Sequence, residues 1–298
     1  MKKSRKHTGG EQRRKIREVI RALPETPGVY LFYGQSSDLL YIGKSRTLRT
    51  RVRSHFSAHE EAAMCSKVSH ILVRETAGEL GALLLESQLI KELRPAYNKA
   101  SRHKRRIIIA RRMTTTRGYI SVVLEAISQI DPAMAGSILA IFKTRSRAAN
   151  YLAEIAKRDR LCPKLLGLEQ TKRFCFAYHL RQCGGACMGE EDPGSYNKRL
   201  ERAFEDRRVK AWPFHGAVII EERREDASEV FVVDNWCLLY SISHSSKPQS
   251  LTVRGLHRFD YDSYRILAGY VFDEANSPRV RPASKEEIES LIRQTRAA

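Results

Sequence analysis

The stretch PGVYLFYGQSSDLLYIGKSRTLRTRVRSHF, residues 27–56, gathers two phenols, an ammonium, a guanidinium and an imidazole: Tyr30, Tyr41, Lys44, Arg51 and His55. Together such groups can hold an anion and move a proton. Arg51 and His55 lie four apart, so on a helix they share a face, with Thr47 ahead of them. Tyr30 and Phe32 share one face of a strand, as do Tyr41 and Gly43 on the next. A hairpin between them would set Tyr30 and Tyr41 side by side across the ladder. The same residues also read as a half-buried sheet with aromatic pairs beside a helix of solvated arginines. Packing, a DNA-binding face and an active site all stay open on these residues alone.

A second candidate lies further on. In ELGALLLESQLIKEL, Glu86 has Ala82, Leu83, Leu89 and Ile90 as its helical neighbours, all apolar. A carboxylate there needs a cationic partner or a metal ion, because an unpaired buried charge costs several kcal/mol. A glutamate at the rim of an apolar face, paired with one of the many arginines, satisfies the same position.

These side chains need elements to carry them. Prolines 24 and 27 with Gly28 mark an entry turn. Gly28 to Tyr33 reads as a strand, GQSSD as a turn, and Leu39 to Gly43 as the returning strand. Ser45 can cap a helix from Arg46 to about Phe56, with Leu48, Val52 and Phe56 as its apolar stripe. Residues 68–76 read as a third strand. Thr76 and Glu79 form a capping box for the helix carrying Glu86, which ends before Pro95. The order is β-β-α-β-α over residues 24–100. Beyond it, RRIIIARR and GYISVVLEAI read as strands, 146–158 as a helix, and PGSYNKRLERAFEDRRVKAW opens another. FHGAVIIEE to NWCLLYSIS reads as a β-meander, and SKEEIESLIRQTRAA as a closing helix.

The chain has 298 residues, enough for two or three domains, with a formal net charge of +19 and a pI of about 9.9. That balance favours a polyanionic partner, usually nucleic acid. No long apolar run or basic amphipathic helix with an aromatic face is evident, which argues against a membrane surface. The basic N-terminus lacks the apolar stretch of a signal peptide, so a cytoplasmic location is expected. Between Leu93 and Leu124 there are nine Lys or Arg and no acid. Of six cysteines, Cys162, Cys175, Cys183 and Cys187 cluster, separated by twelve, seven and three residues. In a reducing compartment such clusters mean metal or catalysis more often than disulfides. The spacing lacks the paired C-x₂-C of structural zinc, and irregular spacing suits an iron–sulfur cluster. By spacing alone, zinc, a cluster and unliganded thiols stay open. Cys65 and Cys237 stand alone and read as small buried hydrophobes.

Gly-Val-Tyr at 28–30, Tyr-Ile-Gly at 41–43, Arg51, and GALLLESQLIKELRPAYN ending in Asn98 together resemble the GIY-YIG nuclease family. Within it they resemble the N-terminal nuclease of UvrC-type excinucleases. The likeness is full over about 24–100 and looser to about 190, through LCPKLLGLE and the cysteine region. It implies a DNA endonuclease using one divalent metal, Mg²⁺ or Mn²⁺, held by Glu86. It implies Tyr41 as the general base, with Lys44 favouring its phenolate, and Arg51 on the scissile phosphate. Tyr30 and Asn98 would complete the pocket, and His55 would be a second acid/base group, a phosphate contact or a packed ring. The basic residues Arg46, Arg49, Arg53, Lys104, Arg105, Arg106, Arg111 and Arg112 would contact DNA or be solvated. The cysteines would hold a [4Fe–4S] cluster serving structure or DNA engagement.

A complete UvrC carries a second nuclease and further modules for which this chain is too short. The plan resembles the short branch of that family, which makes only the 3′ incision at damaged double-stranded DNA marked by UvrB, with UvrA acting upstream. The fold class expected is α+β, divided into a basic N-terminal arm (1–22), a nuclease domain with a three-stranded sheet (23–100), a basic β/α segment (101–160), a four-cysteine region (161–190) and a non-catalytic C-terminal helix and β-meander (191–298). A sequence-directed restriction or mobile-element nuclease and a catalytically inactive DNA-binding adaptor are the competing readings.

Overall fold

In the computed structural model the described residues are 4–98, 107–127, 132–208, 210, 212–245, 252–254 and 259–296. Strand β1 (Gly28–Tyr33) is buried along nearly its whole length, because it is central in the order β2-β1-β3 and covered on both faces. On one face Tyr30 and Phe32 pack with Leu48 and Val52 of α2 (Leu48–Ser57) and with Ile16 and Ile20 of α1 (Ser4–Ala22). On the other, Val29 and Leu31 meet Leu89 and Ile90 of α4 (Glu79–Leu93). Strands β2 (Leu39–Ser45) and β3 (His70–Glu75) both pair antiparallel with β1, and the short α3 (Ala62–Cys65) precedes β3.

Four local expectations change. The basic N-terminal arm is a helix from Ser4 onward: α1 runs 19 residues and buries Ile16 and Ile20. Strand β2 continues past Gly43 to Ser45, so α2 begins at Leu48 behind Thr47 rather than behind Ser45. The Ser45 hydroxyl bonds locally to Thr47 instead, donating to its carbonyl at 2.8 Å and accepting from its N–H at 3.0 Å. Thr76 does not cap α4 either; its hydroxyl donates to the Gly78 carbonyl, and Gly78 is the N-cap residue.

Residues 104–211 form a second compact unit, described by itself. Its sheet has the order β5-β4-β6, from β4 (Ile107–Thr114), β5 (Ile120–Ile127) and β6 (Ile138–Phe142), the last not anticipated. Helices α5 (Arg145–Arg158) and α7 (Pro193–Ala203) cover it, the short α6 (Phe176–His179) lies in the cysteine region, and Cys162, Cys175 and Cys183 belong to the same core. Helix α7, grouped by sequence with the C-terminal part, packs here through Tyr196 and Leu200.

Residues 212–298 join the nuclease part in one unit. They form a five-stranded antiparallel sheet, β10-β9-β8-β7-β11, from β7 (Val218–Arg224), β8 (Ala227–Asp234), β9 (Cys237–Ser245), β10 (Thr252–Arg254) and β11 (Val280–Pro282). Helix α8 (Tyr261–Val271), also unanticipated, packs against α4, and α9 (Lys285–Arg296) closes the chain.

Candidate active site

Strand β2 is an edge strand, so the N–H and C=O groups on its outer side need partners. Asn98 acts as a stand-in strand there. Its Oδ1 accepts from Ile42 N–H at 2.9 Å and its Nδ2 donates to the Ile42 carbonyl at 2.8 Å. Two residues on, the N–H of Lys44 donates to Oε1 of Glu86 at 3.0 Å. Glu86 therefore lies against the strand bearing Tyr41. Its other oxygen, Oε2, takes no hydrogen bond among the described residues. Burial raises the Glu86 carboxyl, opposed by the Lys44 N–H and by the charges of Lys44 and Arg51. A half-buried carboxylate with one free oxygen fits a cation better than a closed salt bridge. One carboxylate with open positions for water and phosphate is the donor set Mg²⁺ accepts.

The tyrosines meet on the face of the sheet that α2 covers. The register pairs Tyr30 with Gly43 and Phe32 with Tyr41, so Tyr30 and Tyr41 are diagonal neighbours rather than directly opposed, with ring centroids 6.1 Å apart. Gly43 makes this possible: a Cβ there would stand 2.2 Å from the Tyr30 hydroxyl. Tyr30 is fully buried and Tyr41 half-buried. Burial pushes both phenols up. For Tyr41 the Glu86 charge adds to the rise, and Arg51 pulls it down, as does hydrogen bonding with Tyr30.

Lys44 does not do what its spacing suggested. Its ammonium is bonded to Glu79 at 2.8 Å, and Arg46 holds the same carboxylate. The cation acting on Tyr41 is Arg51, exposed on α2, whose guanidinium donates to the Ser54 hydroxyl at 3.4 Å.

His55 is wholly buried on the same helix. Its Nε2 lies 2.5 Å from the Tyr30 hydroxyl, and its Nδ1 is bonded to the Glu61 carboxylate. The ring does not hold Arg51. Burial lowers its pKa, opposed by Glu61. A neutral ring donating from Nδ1 to Glu61 accepts at Nε2 from Tyr30, which leaves the Tyr30 oxygen free to accept. Glu61 was not singled out by sequence; its only signal is its place six residues after His55.

The basic residues divide. Arg53 is exposed and makes no side-chain bond among the described residues, while Arg49 donates to the Leu23 carbonyl at 2.6 Å. In the second unit Arg111 is paired with Glu125, and Arg112 with Glu201 at 3.2 Å. Lys104, Arg105 and Arg106 lie outside the described residues.

The second unit also brings the four cysteines together. Sγ of Cys175 lies 3.7 Å from Cys162, 3.5 Å from Cys183 and 3.8 Å from Cys187. Burial pushes the Cys162 and Cys175 thiols up, so metal binding would have to displace their protons. Four convergent soft donors fit a thiolate-bound metal. Of the four, Cys162, Cys175 and Cys187 have sulfurs that all lie within 4.8 Å of one another.

Comparison with known proteins matches three family profiles along the chain: the UvrC-like GIY-YIG domain over residues 26–99, the UvrC/Cho excinuclease middle domain over 108–206, and the excinuclease Cho C-terminal domain over 217–287. The chain is 38% identical over 255 residues to the excinuclease Cho of Escherichia coli K12, covering 85% of this chain and 84% of that one. The chain belongs to the UvrC/Cho excinuclease family. It is a GIY-YIG endonuclease with the α+β fold expected. The Salmonella typhi excinuclease Cho is 37% identical over 85% of each chain. The UvrABC system protein C of Psychrobacter cryohalolentis is 27% identical over 82% of this chain but only 41% of its own length. The N-terminal endonuclease domain of UvrC from Thermotoga maritima, solved bound to magnesium as its catalytic divalent cation, is 35% identical over 28% of this chain and 96% of its own, with a TM-score of 0.27. Among the described residues no helix is long and apolar enough to cross a membrane.

Proposed function

We propose that this excinuclease makes one metal-dependent incision on the 3′ side of a lesion in double-stranded DNA, within a complex marked by UvrB, as a cytoplasmic repair enzyme. The observation that carries the cleavage site is the free oxygen of Glu86, held by α4 against the strand that bears Tyr41. Glu86 would hold the divalent cation, Mg²⁺ or Mn²⁺, which supplies positive charge at a phosphate oxygen and eases deprotonation of its water. Tyr41 takes the proton of the attacking water. Arg51, exposed above both phenols, holds the scissile phosphate, stabilises its growing charge and favours the phenolate of Tyr41. Tyr30, held in place by His55, lies beside Tyr41 and keeps it aimed. Lys44 positions Glu86 through its backbone N–H rather than through its charge. Asn98 holds the strand. Arg53 extends the phosphate-contacting face of α2. The thiolate centre of the second unit, read as a [4Fe–4S] cluster from the resemblance, serves structure or DNA engagement.

The test is incision of a lesion-bearing duplex reconstituted with UvrA and UvrB. Cutting 3′ to the lesion that needs Mg²⁺ and UvrB, and vanishes in Glu86→Ala, is expected. Sequence-dependent cutting of undamaged DNA without UvrB would overturn the repair reading.

A further inference from the structure

Helix α4, which carries Glu86, begins without a cap of its own. Its N-cap residue is Gly78, and no local side chain takes the first N–H groups. The missing acceptors come from the C-terminal sheet. Glu222 of β7 accepts from Leu80 N–H through Oε1 at 2.9 Å and from Gly81 N–H through Oε2 at 2.8 Å. Its cross-strand partner Glu229 on β8 accepts from Ala77 N–H at 3.2 Å and from the Ser243 hydroxyl at 2.8 Å. Both carboxylates are buried, at 4% and 7% exposure. Like charges set directly opposite on a sheet repel, and buried carboxylates are costly. The positive end of a helix with unbonded N–H groups is the environment that compensates both.

The two glycines match this contact. A Cβ at Gly78 would fall 2.2 Å from Glu222, and one at Gly81 1.9 Å from Glu229. A glycine in the first turn of a helix weakens it, and here it admits the carboxylate. The far end of the helix is held from the same side: Lys91 is paired with Asp260 at 2.5 Å and Asp262 at 3.2 Å, both at the start of α8.

We propose that Glu222, backed by Glu229, is a positioning residue for cleavage: it caps the helix that carries Glu86, so the C-terminal sheet sets where that carboxylate stands. This rests on the reading of Glu86 as the cation ligand. It gives the C-terminal part, read from sequence as a non-catalytic helix and β-meander, a role in positioning the active site.

The test uses the full-length chain and Mn²⁺ alone, with free ion counted by electron paramagnetic resonance, alongside hydrogen–deuterium exchange. In Glu222→Gln, exchange over residues 79–86 should quicken while β1 and α2 keep their protection. The Mn²⁺ dissociation constant should rise about tenfold, the lower end of what losing an outer partner of a metal ligand does. Glu222→Ala should do the same or more, and adding Gly78→Asp to it, which puts a carboxylate on the helix's own N-cap, should recover most of the affinity. Unchanged Mn²⁺ affinity in Glu222→Gln, exchange that rises evenly across the unit, or no recovery with Gly78→Asp would overturn the proposal. Mn²⁺ binding by the parent that survives Glu86→Ala would instead overturn the cation-site reading, and the exchange comparison would still decide whether Glu222 caps the helix.

Discussion

The Tyr30 hydroxyl lies 2.5 Å from Nε2 of His55, and the other nitrogen of that ring is bonded to Glu61. The ring is buried, and burial lowers its pKa; its proposed role is to hold the Tyr30 hydroxyl in place. His55→Ala should lower kcat about a hundredfold, the scale of a misplaced catalytic group, with little change in DNA affinity. His55→Phe keeps the packing and loses the acceptor; it should be as slow as His55→Ala. Glu61→Gln should cost about tenfold. Steady-state nicking of the three variants decides the point: full activity in His55→Phe would make the ring packing only.

Much of this geometry was legible in sequence. Gly28, Tyr30, Tyr41, Arg51 and Glu86 stand on the elements their periodicity assigned, because strand β1 and helix α4 have strong local patterns. What was not legible depended on register and on distant partners. The diagonal placing of the tyrosines follows from the pairing of Tyr30 with Gly43, which hydrophobic alternation does not fix. Lys44 was misjudged because its charge is taken by Glu79, 35 residues away. Thr76 and Glu79 fit a capping box, yet the cap is Glu222, 142 residues from Leu80. Helix α1 was read as an arm because its many charges hide the two isoleucines that anchor it.

Burial sets the Glu86 charge against stability. Desolvation raises its carboxyl, so without a cation the charge opposes folding. Glu86→Gln keeps an acceptor for the Lys44 N–H and removes that charge. Cleavage should fall at least a thousandfold while Tm in EDTA holds or rises by about 2 °C, the effect of about 1 kcal/mol in a chain of this size. Added Mg²⁺ should raise Tm of the parent and not of the variant, since a ligand stabilises only the state that binds it. Thermal melts with and without Mg²⁺ check both; equal Mg²⁺ shifts would remove Glu86 from the metal site.

Asn98 bonds both backbone groups of Ile42. Asn98→Ala leaves two partly buried groups without partners and should cost about 2 kcal/mol. Asn98→Asp keeps the acceptor for Ile42 N–H but sets a carboxylate against the Ile42 carbonyl, so it should be no better. Denaturant unfolding measures the loss. Because β2 carries Tyr41, nicking at saturating Mg²⁺ should fall as well, though less than in Glu86→Gln. A variant as stable as the parent would mean the edge is held by the neighbouring bonds from Ala96 and Tyr97 to Leu39 and Leu40.

Glu229 gives the fold a pH dependence of its own. Burial raises its carboxyl to about 7 from 4.5, opposed by the Ser243 hydroxyl and Ala77 N–H and reinforced by Glu222. The folded state then binds more protons than the unfolded one between those values, so stability falls as pH rises through that window. The contribution is full below about pH 4.5 and gone above about 7, on the order of 3 kcal/mol at 1.36 kcal/mol per unit. Glu229→Gln removes the titrating group while leaving an acceptor for Ala77. Its Tm between pH 5 and 7.5 should fall less steeply than the parent's; parallel curves would mean Glu229 titrates like an exposed glutamate.

Cys175 is the hub of the four cysteines, with the other three sulfurs 3.5–3.8 Å from its own. Replacing it removes one donor and opens a gap in a core that also includes Leu161, Leu166 and Tyr196. After anaerobic purification the parent should hold iron and acid-labile sulfide in equal amounts, and Cys175→Ser should hold little of either. Its second unit should lose stability, because metal binding at such sites is folding free energy. Nicking of plasmid DNA driven by Mn²⁺ should survive in Cys175→Ser, since none of the cysteines belongs to the Glu86 site. Zinc at one ion per chain would replace the cluster with a single tetrahedral ion, and no metal in the parent would overturn the thiolate centre.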